Sequence, residues 1–291
     1  MARTINQHRR KRKRRRRQQI SPAVVLLLLV AVLMLSLFLL FRLFLRPGGN
    51  PEPTSSESEA TPTITETLPP SNLTAECFGQ ENGYKTYQSD TVTASLGIDV
   101  SSHQGWIDWQ AVADSDVDYA IIRAGYRGYT DGDTNQDEYF QYNIETATAL
   151  GLDVGIYFFS QALNEEEAIE EANHVLDLVS GYSLAYPIYF DWEIISDDDA
   201  RTDTISGSEL TRCAQAFCRT IEEAGYEAGI YFNLSIAAQL YHLYDLKEYD
   251  FWLAEYQDIP SYPFEIDMWQ YTNTGVVPGI SVDVDLNLSF Q

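Results

Sequence analysis

Two carboxylates, Asp191 and Glu193, stand two positions apart in the segment YPIYFDWE, Tyr186 to Glu193. The segment reads as a short buried strand, because Ile188, Tyr189 and Phe190 favour β structure and Pro187 suits a strand start. Side chains alternate across a strand, so the two acids point to the same side. Acids at the end of an apolar strand are costly to bury unless they are paired or protonated. Cleavage of a glycosidic bond needs such a set: two carboxyl groups, one of which keeps its proton. The plainer alternative is a pair of loop acids just past the strand, facing water.

A frame for these acids is visible along the chain. Short apolar runs recur at Ser95–Ser101, Tyr119–Gly125, Asp153–Ser160, Tyr186–Glu193, Glu227–Asn233, Phe251–Tyr256, Ile266–Tyr271 and Ser281–Asn287. Helical patterns lie between them at Trp106–Asp114, Gln136–Leu150, Asn164–Val179, Ser208–Ala224 and Ser235–Tyr244. Beyond the sixth run the connections are too short for crossover helices. Eight strands alternating with about five helices predict an α/β fold, an irregular (β/α) barrel whose last three strands lack helices. An open doubly wound sheet is less favoured, since DVSSHQG after the first run is no Gly-rich phosphate loop.

A barrel of this kind carries its site at the carboxyl ends of its strands. Asp99, Ser101 and His103 are expected there, with Arg123, Tyr126, Tyr157, Asp191, Glu193, Tyr231, Asn233, Trp252, Tyr256, Trp269, Tyr271, Asp283 and Asp285. Crowded acids raise one another's pKa, so one of them can stay protonated near neutral pH. Aromatic faces stack on sugar rings, although barrel packing accounts equally well for about half of them. No metal site or cofactor is expected: His174 and His242 fall on helical patterns away from the mouth, leaving His103 alone.

The first 75 residues are of another kind. The 291-residue chain has 19 Lys and Arg against 43 Asp and Glu. Twelve of the basic residues fall in the first 46 positions, which hold no acid, so the rest carries a balance of −36. The basic run Arg9–Arg17 precedes 19 uncharged, apolar residues, Ala23–Phe41. This predicts a cytoplasmic tail over residues 1–21, a single transmembrane helix over 22–45 and an extracellular remainder. A cleaved signal peptide fits less well, because no A-x-A pattern follows. Beside a membrane span the Arg run reads as a topology signal rather than a nucleic-acid contact. Residues 46–76, rich in Pro, Ser, Thr and Glu, predict an extended disordered linker, with the barrel over 90–291. Three cysteines, Cys77, Cys213 and Cys218, exclude a disulfide-rich scaffold and leave open one bridge or none.

Several blocks, taken together, resemble a known family: GIDVSSHQGWIDW (Gly97–Trp109), IIRAGY (Ile121–Tyr126), GIYFFSQA (Gly155–Ala162), YFDWE, GIYFN (Gly229–Asn233), WLAEY (Trp252–Tyr256) and the stretch from MWQYT to SVDVDLN (Met268–Asn287). They are similar, in order, to glycoside hydrolase family 25, the Chalaropsis-type lysozymes or N-acetylmuramidases. The resemblance implies an irregular β/α barrel that cleaves the β-1,4 bond between N-acetylmuramic acid and N-acetylglucosamine in peptidoglycan glycan strands. It implies Glu193 as general acid and Asp191 as its partner, with Asp99 and Asp285 as flanking catalytic carboxylates and Asp283 outside the match. Tyr126, Tyr157, Tyr231, Asn233, Trp252, Trp269 and Tyr271 are the expected substrate contacts. A non-catalytic wall-binding module, or a barrel hydrolase of another N-acetylated polymer such as chitin, are the alternatives. The spacing of Asp191 and Glu193 does not choose between an inverting and a retaining course.

Overall fold

A computed structural model of the chain describes residues 67–195 and 199–291. The expected tail, transmembrane helix and most of the linker lie outside the described residues. Among the described residues no helix is long and apolar enough to cross a membrane.

Eight strands close into a barrel: β3 (Ala94–Val100), β4 (Tyr119–Arg127), β6 (Asp153–Phe159), β7 (Ile188–Asp191), β8 (Ala228–Asn233), β9 (Asp250–Ala254), β10 (Met268–Gly275) and β11 (Val284–Phe290). β3 pairs with both β4 and β11, which closes the ring. β5 (Thr134–Gln136) adds an antiparallel edge to β4. Five α-helices pack outside: α1 (Trp109–Ala113), α2 (Phe140–Ala149), α3 (Glu165–Val179), α4 (Gly207–Glu223) and α5 (Leu234–Gln239). Their starts follow the capping rules. Asn164, Ser206 and Asn233 each accept a backbone N–H from the first turn of α3, α4 and α5. The expected helix from Gln136 begins only at Phe140, because 134–136 pair with β4 instead.

Strand parity sorts the side chains into two packed layers. Residues facing outward, such as Ile98, Ile122, Phe158, Phe190, Phe232 and Leu253, lie in the core shared with the helices. Tyr119, Ile121, Tyr189, Tyr231, Trp252 and Met268 fill the barrel interior. The interior is tightly occupied: a Cβ on Gly97 would meet the Tyr119 ring at 2.1 Å, so only glycine leaves that ring its place.

The last strand departs from the parallel scheme. β11 runs antiparallel to both β10 and β3. Its amino end, not its carboxyl end, therefore lies at the mouth. Register places Asp285 opposite Asp99, so this residue reaches the mouth by the reverse of the expected route.

A hairpin of β1 (Phe78–Glu81) and β2 (Tyr84–Tyr87) precedes the barrel. Its strands are short and mostly polar, without the alternation that would mark them in sequence. Phe78 packs edge-on against Trp269 at 5.6 Å and Tyr87 against Phe290 at 5.6 Å. The expected linker also ends earlier than residue 76: Leu68 is buried in the core, Pro70 bridges to Phe264, and Ala75–Cys77 form a 3-10 turn. Two leucines give this Pro/Thr-rich stretch enough apolar surface to dock. All three cysteines are free thiols, and Cys213 and Cys218 are buried on α4.

Candidate active site

A cleft of about 750 Å3 opens at the mouth, where Asp99, Asp191, Glu193 and Asp285 converge. Asp99 and Asp191 are buried, 7% and 5% exposed, while Glu193 and Asp285 are half-buried. Asp191 is the last residue of β7, and Glu193 stands just past it. Between them Trp192 turns outward into the core under the helices, and this anchors the segment.

Each acid has a different setting. Asp99 Oδ2 accepts from Gln270 Nε2 at 2.8 Å and Asn287 Nδ2 at 2.9 Å. Asn287 Oδ1 in turn accepts from Trp252 Nε1 at 2.9 Å, and Gln270 Oε1 from the hydroxyls of Tyr231 and Tyr256 at 3.2 and 2.9 Å. Asp191 Oδ1 is buried with no hydrogen-bond partner among the described residues. The Glu193 backbone carbonyl accepts from Gln161 Nε2 at 3.4 Å, and Gln161 is held by Thr202 at 2.6 Å. Arg123, the nearby cation, is already committed. Its Nε and Nη2 reach Asp137 Oδ2 at 2.8 and 2.7 Å, and its Nη2 also donates to Ser102.

Among the described residues the two arginines lining the cleft, Arg123 and Arg127, are paired with Asp137 and with Glu170 and Glu171, so the four carboxyl groups hold protons tightly. Burial raises Asp191 well above the usual carboxylate range, and Glu193 and Asp99 add to it. Burial also lifts Asp99, aided by Asp285 and opposed by its two amide donors. Burial and then the charge of Asp285 raise Glu193. Burial pushes Asp285 up to about 6. The groups titrate as a set, and the direction is common to all: protonated carboxyl persists toward neutral pH.

Tyr126, Tyr157, Tyr231 and Trp252 line the cleft, as do Tyr256 and His103, which were expected at the strand ends though not among the substrate contacts. Three expected contacts do not. Asn233 turns its side chain back to cap α5, accepting from Ser235 and Ile236 N–H. Trp269 and Tyr271 lie on the outer face of β10; Trp269 is fully buried and donates to the Glu255 carbonyl, while Tyr271 accepts from Lys85 N–H. Gln270 between them faces inward instead. Asp283 is exposed in the turn before β11 and lies outside the cleft lining. The end of β4 and the loop after it, residues 126–131, also line the cleft.

Residues 98–280 match the family described as Glycosyl hydrolases family 25. The autolytic lysozyme of Clostridium acetobutylicum is 28% identical over 192 residues, which are 66% of this chain and 54% of that protein. The modular autolysin LytC from Streptococcus pneumoniae superposes with a TM-score of 0.61 at 26% identity, covering 74% of this chain and 52% of that one. A bacterial lysozyme from Streptomyces coelicolor gives 0.53 at 25% identity, covering 67% and 91%. The chain thus spans about half the length of the first two. With 98–280 matched and the barrel and its carboxylates in place, the chain belongs to glycosyl hydrolases family 25.

Proposed function

We propose that the chain is a lysozyme that hydrolyses the β-1,4 bond between N-acetylmuramic acid and N-acetylglucosamine in peptidoglycan. The observation that carries this reading is the mouth itself: Glu193, raised in pKa by burial and by Asp285, beside a buried Asp191 with one oxygen unpartnered. Glu193 would protonate the leaving glycosidic oxygen. Asp191 Oδ1 is an acceptor without a donor, which suits the amide N–H of an N-acetyl group on the substrate. Seating that amide would orient the acetamido oxygen and relieve an uncompensated buried atom. Asp285 would supply the negative charge that keeps the acid protonated and stabilises a developing oxocarbenium ion, beside Asp99 held in place by its two amide donors. Tyr126, Tyr157 and Tyr256 provide aromatic surface along the cleft.

The tail over 1–21 and the apolar residues 22–45 support a single-pass membrane anchor, with the tail cytoplasmic and the barrel outside, facing the wall. The −36 balance beyond residue 46 opposes retention by anionic wall polymers, which leaves that task to the anchor. The test is release of reducing sugar ends from purified peptidoglycan by the full-length chain. No release, or full activity in Glu193→Gln, would sink the reading. Parallel digestion of chitin checks the polymer.

A further inference from the structure

The hairpin β1–β2 stands before the matched residues 98–280, yet it shapes the surface beside the cleft. With the loop at 256–259 and the outer face of β10 it encloses a second pocket of about 660 Å3, nearly as large as the cleft. Tyr256 lines both, so one ring separates them. That ring is tied to the site through its hydroxyl, which donates to Gln270 Oε1 at 2.9 Å.

Lys85 is the one cationic side chain among the described residues lining this pocket. Its ammonium lies 5.6 Å from the Trp269 ring centroid and 6.0 Å from that of Tyr271, and it donates to the Asp258 carbonyl at 2.8 Å. These contacts seat the charge. Among the described residues its ionic partner is the Asp258 carboxylate, 3.5 Å away and fully exposed. Such a pair is screened by water, and another carboxylate can take its place at small cost. The pocket wall also offers backbone. Gly79 has no side chain to cover its peptide groups, and β1 pairs with β2 alone among the described strands, which leaves its other edge for an extended peptide. A strand edge beside a single seated cation fits a peptide with a free carboxylate better than it fits a neutral sugar.

We infer that this pocket is a subsite for the carboxylate-bearing peptide branches of the glycan substrate, with Lys85 holding the carboxylate. The inference rests on the peptidoglycan reading above. A sugar strand lying along Tyr256 places any branch that passes the ring directly into the pocket.

The test compares wild-type full-length chain with Lys85→Met and Asp258→Asn on two substrates: peptidoglycan with its peptide stems, and the same glycan after an amidase has removed them. A charge-assisted hydrogen bond corresponds to about tenfold in affinity. Lys85→Met, which keeps the apolar stem on the two rings, is expected to raise KM about tenfold on the stem-bearing polymer. Its kcat, and its KM on bare glycan, should stay within about twofold of wild type. Asp258→Asn, which removes the competing carboxylate, is expected to lower KM on the stem-bearing polymer. Equal losses on both substrates, or no change on either, would overturn the subsite. If the wild type cleaves neither polymer, the lysozyme reading fails separately. Calorimetric titration of free stem peptide then decides the subsite: binding lost in Lys85→Met upholds it, and equal or absent binding ends it.

Discussion

Replacing Asp285 by asparagine removes one charge from the cluster while preserving shape. Burial moves the Asp285 carboxyl from 3.8 to about 6. At 1.36 kcal/mol per unit this is about 3 kcal/mol of folding free energy lost when the group ionises. The side chain is half-buried and reached by water, so screening reduces that to roughly 1–2 kcal/mol. The sign follows from proton binding. The folded chain holds this proton more tightly than the unfolded chain, so the stabilisation is full below 3.8 and is lost as pH rises through 6. Asparagine does not ionise. Asp285→Asn is therefore expected to be more stable than wild type at pH 7.5, by roughly 2–8 °C in Tm for a domain of this size. The gain should shrink several-fold by pH 4. Activity moves the other way. Glu193 loses the neighbouring charge that helps it keep its proton, so the alkaline limb of the rate profile shifts to lower pH. Scanning calorimetry at the two pH values and a pH series of kcat/KM read both effects. A Tm unchanged or lowered at pH 7.5, a gain of equal size at both pH values, or an unmoved alkaline limb would refute the reasoning.

Glu193→Gln is expected to lower kcat by about 10²–10⁴ with no loss of thermal stability, measured on purified peptidoglycan. Gln270→Leu strips Asp99 of one of its two amide donors and should cost about 1–3 kcal/mol in urea unfolding, since a buried acceptor is left short of a partner. Gly97→Ala drives a methyl into the Tyr119 ring and should destabilise by about 1–3 kcal/mol; an unchanged denaturation midpoint would contradict the packing described. Trp269→Ala should cost about 3–5 kcal/mol in stability while leaving the KM of the folded fraction on stem-free glycan unchanged, because the ring packs under the hairpin, against Lys85, and not in the cleft.

The barrel was legible because its strands are separated by helices with plain caps, and because the acids sit next to recognisable apolar runs. The place of Asp99, Asp191 and Glu193 at the strand ends followed from strand order, and the resemblance singled them out from the other residues there. What parity of side chains would have added was hidden. Both faces of these strands are apolar or aromatic, since one fills the barrel and the other meets helices. Nothing in IDMWQY distinguishes the inward Gln270 from the outward Trp269 and Tyr271, so two core aromatics were taken for substrate contacts and the amide that holds Asp99 was passed over. Asn233 was misplaced for a different reason: a residue at a strand end is also a helix cap when a helix starts at once. Asp285 reaches the mouth as expected, but the reversed direction of β11 depends on pairing across the whole barrel, which local pattern does not carry.

That reversed strand also bears on when the site comes into being. Asp99 takes one of its two amide donors, Asn287, from 188 residues further along the chain, and the register that sets Asp285 against Asp99 exists only once β11 has slotted between β3 and β10. Contacts at such separation are slow to form, because the loop they close is long. The repulsion that Asp285 adds to the other carboxylates therefore arises only when β11 pairs with β3. Until β11 is in place the set lacks Asp285 and Asp99 lacks its Asn287 donor, so the four-carboxyl mouth is complete only when the ring is closed.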